Sequence, residues 1–131
     1  MKIAVDTNVL VRAIVGDDAR QCKAAIEAMA QAEVVAISVH ALCELVWVLR
    51  RSYEVSRADI AAAIGQLLDT RNVLVNRPAV EAGLAVLMAG GDFANGVIAL
   101  EGRWLGGDTF VSFDQKAVAL LTAEGHAARS L

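Results

Sequence analysis

Four carboxylates and one amide stand along this chain where a side chain can act on a ligand rather than fill a core. Asp6 follows a short apolar run in Val5-Asp6-Thr7-Asn8. Glu44 interrupts an otherwise apolar stretch, Ala41-Leu42-Cys43-Glu44-Leu45-Val46-Trp47. Asp92 and Asn95 are three residues apart, so on a helix they share a face. Asp114 closes Val111-Ser112-Phe113-Asp114. Hard oxygen donors of this kind suit Mg²⁺ or Mn²⁺ rather than zinc. Gathered without a cation, they would repel one another. A cation so held can polarise a phosphate and make a water more acidic. Each acid also has a plainer reading. Asp6, Asp92 and Asp114 are good helix caps. Glu44, with His40, Ala41, Trp47 and Val48 one turn away, is expected to be partly buried and so to need a partner. That partner is either a metal or one of Arg50 and Arg51.

The elements around these residues follow from hydrophobic periodicity and caps. Strands are predicted at 2–5, 34–37, 72–75 and 109–112, with a short final one at 126–129. Helices are predicted over 8–15, 18–32, 39–52, from Ser56 to about 68, from Pro78 to about 88, over 93–105, and from Asp114 onward. Asp17 or Asp18, Ser38, Ser56, Asp92 and Asp114 are the expected caps. Gly90-Gly91 and Gly106-Gly107 punctuate the later helices. Strands alternating with helices imply an α/β fold with a short, mostly parallel sheet covered on both faces, a three-layer α/β/α domain. Sites in such sheets form at the carboxyl ends of the strands, which is where Asp6 and Asp114 fall.

Composition narrows the classes further. At 131 residues, with 56% hydrophobic and 21% charged residues, the chain is expected to be one domain spanning 1–131 with an ample core. A net charge of −3 argues against a broad phosphate-binding surface but not against an enzyme that meets phosphate through metal ions. Cys22 and Cys43 lack CxxC spacing and read as free thiols of a reducing compartment. No signal peptide or membrane-spanning run is apparent, so a cytoplasmic protein is expected. His40 and His126 show no partner pattern and read as structural. Trp47 and Trp104 read as core or interface residues.

Four strings, in order, carry a resemblance. Val-Asp-Thr-Asn-Val-Leu at 5–10 resembles the opening motif of PIN domains. Cys-Glu-Leu-Val-Trp-Val-Leu at 43–49 is similar to the helix bearing that family's second acid. Gly-Gly-Asp-Phe-Ala-Asn-Gly-Val-Ile-Ala at 90–99 and Asp-Thr-Phe-Val-Ser-Phe-Asp-Gln-Lys at 108–116 resemble its third and last motifs. The small size resembles the VapC-type toxins of bacterial toxin–antitoxin pairs. By resemblance, Asp6, Glu44 and Asp114 are metal-binding and catalytic acids, with Thr7 or Ser112 as nearby hydroxyls. The family's third acid falls at Asn95, which keeps a carbonyl oxygen but loses a negative charge. Asp92 is a secondary metal ligand one turn earlier. Three explanations of Asn95 stay open: compensation by Asp92, a weakened homologue, or an amide engineered in place of an acid.

The resemblance implies a Mg²⁺- or Mn²⁺-dependent endoribonuclease acting on tRNA or other structured RNA at single-stranded positions. Asn8, Arg12, Ser112 and Lys116 are its candidate nucleic-acid contacts. Arg50, Arg51 and Arg103 are also near enough to the motifs to meet phosphate. It also implies a homodimer and an antitoxin protein partner, with DNA reached only through the antitoxin. A catalytically silent binding module that represses its own operon is the alternative favoured by Asn95. A phosphatase of another α/β family is a third reading, but Asp6-Thr7-Asn8 lacks the second Asp of a DxD motif.

Overall fold

A computed structural model of the protein describes all residues, Met1–Leu131. Seven helices and five short strands follow one another in mixed α/β order, and every strand pairing is parallel, consistent with the α/β/α class expected from the sequence. The chain forms two compact units, Met1–Asn76 and Arg77–Leu131.

In the first unit the strands are β1 (Lys2–Ala4), β2 (Val34–Ala36) and β3 (Val73–Leu74). They pair in the order β1-β2-β3, with Ile3 opposite Val35 and Val35 opposite Val73. Val35, on the central strand, is fully buried. The crossovers are α1 (Thr7–Val15) with α2 (Ala19–Gln31), then α3 (Val39–Arg51) with α4 (Arg57–Leu68). These helices bury an aliphatic stripe that includes Leu10, Leu42, Leu45, Leu49, Ile60 and Ile64. Ser38 and Ser56 cap α3 and α4 by accepting from Ala41 N and Asp59 N, and Asp18 does the same for α2 through Gln21 N. Asn72, just before β3, donates both Nδ2 hydrogens to the carbonyls of Met29 and Ala32. It thereby satisfies the end of α2, where carbonyls have no intrahelical partner.

The second unit holds α5 (Arg77–Met88), α6 (Phe93–Trp104), β4 (Phe110–Ser112), α7 (Gln115–Ala123) and β5 (Ala128–Ser130). β4 and β5 form a two-stranded parallel sheet with Phe110 opposite Ala128. The inner side of that pair packs on Val86, Ala99 and Leu121. β5 begins two residues later than the sequence predicts. Gly125 takes a left-handed turn at φ 90° after α7, and the amide of His126 bonds back to Leu121 O, so the extended chain starts beyond it.

The helix pair α5 and α6 lies close because of two glycines. A Cβ on Gly83 would come within 2.6 Å of the buried Phe93 ring, and one on Gly96 would collide with the backbone carbonyl of Ala82. A Cβ on Gly65, inside α4, would meet nothing within 4 Å. Urea denaturation of three variants separates these cases. Gly96→Ala and Gly83→Ala are expected to destabilise by about 1–3 kcal/mol through overpacking. Gly96→Ala should be the worse, because backbone cannot step aside. Gly65→Ala is expected to stabilise by about 0.5–1 kcal/mol, the helix-interior cost of glycine.

Candidate active site

At the carboxyl ends of β1 and β2 the first unit opens into a cavity of about 520 Å³ lined by Asp6, Thr7, Asn8, Ser38, His40 and Glu44 among others. The ladder runs slightly past the strands, through Val5 N to Ala36 O and Ile37 N to Leu74 O. This sets the two strand ends, and the residues after them, side by side. Asp6 is the N-cap of α1: its Oδ1 accepts from Val9 N at 3.2 Å. Thr7, the first residue of α1, donates Oγ1–H to Glu44 Oε2 at 3.1 Å. The other oxygen of Glu44 pairs with His40 Nε2 at 2.5 Å, one helical turn earlier on α3.

The Glu44 side chain is half-buried, at 51% exposure, because α3 turns Leu42, Leu45, Val46 and Leu49 inward and leaves this face open. Its partners are His40 and Thr7, not Arg50 or Arg51. His40 is therefore more than a structural residue, and its i,i+4 spacing to Glu44 was the available signal. Trp47 and Trp104 are not core residues, with exposures of 58% and 53%.

The lining residues that carry side-chain oxygens are Asp6, Thr7, Asn8, Ser38 and Glu44. Such a set suits a hard divalent cation. Mg²⁺ in particular is bound through one or two carboxylates and keeps several waters. Within neither unit do three or more His, Cys, Asp or Glu side chains gather around a common point. A cation here would be held by few protein ligands and by water.

The remaining candidates in the first unit lie beside this cavity. A second cavity, of about 380 Å³, has Asp6, Asn8 and Arg12 on its wall together with the small residues of α2. Arg12 is tied down: Nη1 donates to Asp17 Oδ1 at 3.0 Å, and Tyr53 Oη donates to Asp17 Oδ2 at 2.9 Å. The Tyr53 hydrogen bond, aided by Arg12, holds the Asp17 carboxyl below its usual range, and Asp17 in turn holds the Arg12 guanidinium above its own.

In the second unit the caps predicted from sequence are formed. Asp92 Oδ1 accepts from Ala94 N at 3.1 Å, and Asn95 follows, half-buried, in the first turn of α6. Asp114 Oδ1 accepts from Ala117 N at 3.1 Å, while Ser112 Oγ accepts from the amide of Asp114 at 2.9 Å. Lys116 is exposed in the first turn of α7. His126 also has a partner, since its Nδ1 lies 2.9 Å from Arg103 Nη2. Burial, and then the Arg103 charge, hold the imidazole below its usual value against an opposing pull from Glu124.

Comparison with known families matches residues 3–94 to the profile described as PIN domain. The matched stretch contains Asp6, Glu44 and Asp92 and stops one residue short of Asn95; Asp114 lies beyond it. No curated protein and no solved structure matches the chain.

The Asp17 network gives a pH-dependent expectation. A carboxyl whose folded value is depressed adds stability above its unfolded value, and that stability is lost as pH falls through the folded value. Tyr53→Phe removes the largest cause of the depression. The Asp17 carboxyl carbon, followed by NMR, is expected to titrate at higher pH in this variant. The acid limb of the stability curve should flatten correspondingly. An unmoved titration would mean that Tyr53 does not hold the carboxylate.

Proposed function

The chain belongs to the PIN-domain family, whose members are generally metal-dependent nucleases, and on that premise we propose that it is an endoribonuclease. The observation that supports this most directly is the meeting of Asp6 and Glu44 on one cavity at the strand ends, with hydroxyl and amide oxygens around them. Asp6 and Glu44 would hold Mg²⁺ or Mn²⁺ there. When bound, such a cation supplies charge neutralisation for a phosphodiester and a more acidic water. The chain's own residues do the rest. Thr7 fixes one oxygen of Glu44, and His40 fixes the other, so the carboxylate keeps one orientation. Asp6 is held by the start of α1 through one oxygen, which leaves the second without a hydrogen bond to the cap. Asn8 and Ser38 offer neutral polar contacts to a phosphate or ribose.

Asp114, Asp92 and Asn95 enter the proposed ligand set on the resemblance of their motifs, and Ser112, Lys116 and Arg12 enter as RNA contacts on the same ground. By that resemblance the protein is a VapC-type toxin working in the cytoplasm, as a homodimer. A protein antitoxin restrains it, and tRNA or another structured RNA is its substrate. The whole chain, 1–131, would be a single nuclease domain. No helix is long and apolar enough to cross a membrane. A second reading, a silent module acting through its antitoxin, is favoured by the amide at position 95, where the family's motif carries an acid.

Cleavage of a tRNA pool in Mg²⁺ and in Mn²⁺ decides between them. The unaltered chain is expected to cut, and Asp6→Asn, which keeps the cap but removes the charge, is expected to lose at least about tenfold in rate. Asn95→Asp should raise the rate. Cutting by Asn95→Asp alone would make position 95 the point at which the enzyme is switched off. No cutting by any variant with either metal would favour the silent module.

A further inference from the structure

One face of α3 remains unexplained by the cavity. His40, Glu44, Trp47 and Arg51 are spaced four, three and four residues apart, so they form one stripe along the helix. The opposite side is spent on the core through Leu42, Leu45 and Leu49. The stripe begins at the cavity with His40 and Glu44 and leads away from it. Its next member, Trp47, is 58% exposed, an unusual position for the largest apolar side chain. Arg51 stands over the indole, with Cζ 5.5 Å from the ring centroid, inside cation–π range. Arg51 enters none of the ion pairs of the structure.

We propose that Trp47 and Arg51 form a stacking subsite for an unpaired base of single-stranded RNA, next to the phosphate held at Asp6 and Glu44. This rests on the nuclease reading and adds to it a base-contacting subsite. Three physical points carry it. Neighbours three apart on a helix have Cβ atoms about 5–6 Å apart. A strand whose phosphate meets a cation held at Asp6 and Glu44 therefore has an adjacent base within reach of Trp47. Indole and guanidinium planes are the surfaces on which unpaired bases stack, and stacking accepts any base. Finally, a chain of net charge −3 lacks a general field to attract RNA. A local cation beside an aromatic ring supplies attraction where the strand must be held. A duplex, with its bases already stacked, gains nothing from such a platform, so the subsite selects single strands.

The chain has two tryptophans, so in a Trp104→Phe background the fluorescence reports Trp47 alone. The probe is a short single-stranded oligoadenylate with hydrolysis-resistant phosphorothioate linkages, in Mg²⁺, so that the strand binds without being cut. Saturable quenching is expected, with no quenching by the corresponding duplex. Trp47→Ala, with the native Trp104, should weaken binding of a dye-labelled oligoadenylate about fivefold or more, and Trp47→Phe should retain most of the affinity. In Mg²⁺, Trp47→Ala should raise KM with kcat largely kept, since stacking is made equally before and during reaction. Absence of quenching, equal quenching by duplex, or unchanged affinity in Trp47→Ala would overturn the proposal. So would loss of self-association in Trp47→Ala with RNA affinity intact, which would assign the face to protein contact. Cleavage undiminished by Asp6→Asn would sink the nuclease reading separately, because the quenching does not depend on catalysis.

Discussion

The hydrogen bond from Thr7 to Glu44 ties together the parts of the first unit that matter for chemistry. Thr7 can make it only because β1 ends at Ala4 and α1 begins three residues on, with Asp6 as the cap between. Glu44 can receive it only because α3 is anchored inward by Leu42, Leu45 and Leu49, which fixes the rotation of the helix about its axis. Both conditions depend on β1 and β2 pairing in register, Ile3 opposite Val35. A one-residue slip would turn the buried Val35 to the other face of the sheet. It would also shift the start of α1 relative to α3. A single side-chain contact thus reports on the whole arrangement beneath it.

The same region shows how an acidic chain handles its charge. Glu44 has His40 and Thr7, Asp17 has Arg12 and Tyr53, and Asp6 has the amide of Val9 in the first turn of α1. No polar side chain in the molecule is buried without a partner. Interior stability is left to aliphatic packing and to Phe93, which is fully buried. The polar groups work at the margin of that core, in caps such as Ser38 and in ties such as that of Asn72 to the end of α2.

Much of this was legible before any coordinates. Six helix starts could be read because Ser and Asp compete for backbone amides in a recognisable way, and Asp6, Asp18, Ser38, Ser56, Asp92 and Asp114 all accept the expected bond. The parallel pairing followed from alternation alone. The division of the strands into a three-stranded and a two-stranded sheet did not, because strands of two or three residues carry too little pattern to specify neighbours. The exposure of Trp47 was hidden by composition: α3 is apolar nearly all round, so periodicity does not say which apolar residue is surplus to the core. The His40–Glu44 pair was present in the spacing, but a lone histidine on an apolar helix gives no sign of which neighbour it faces until the helix is placed.

The near contact of α5 and α6 through Gly83 and Gly96 bears on how such a chain can change over time. Where two backbones touch, almost every alternative residue adds atoms to space that is already filled, so these positions tolerate very little. The outward face of α3 is the reverse, since its side chains meet solvent and their loss leaves no void. Substitutions at Trp47 and Arg51 can therefore accumulate without endangering the fold. A directed-evolution library aimed at altered substrate choice would do well to randomise positions 47 and 51 and leave His40, Glu44 and the two glycines alone.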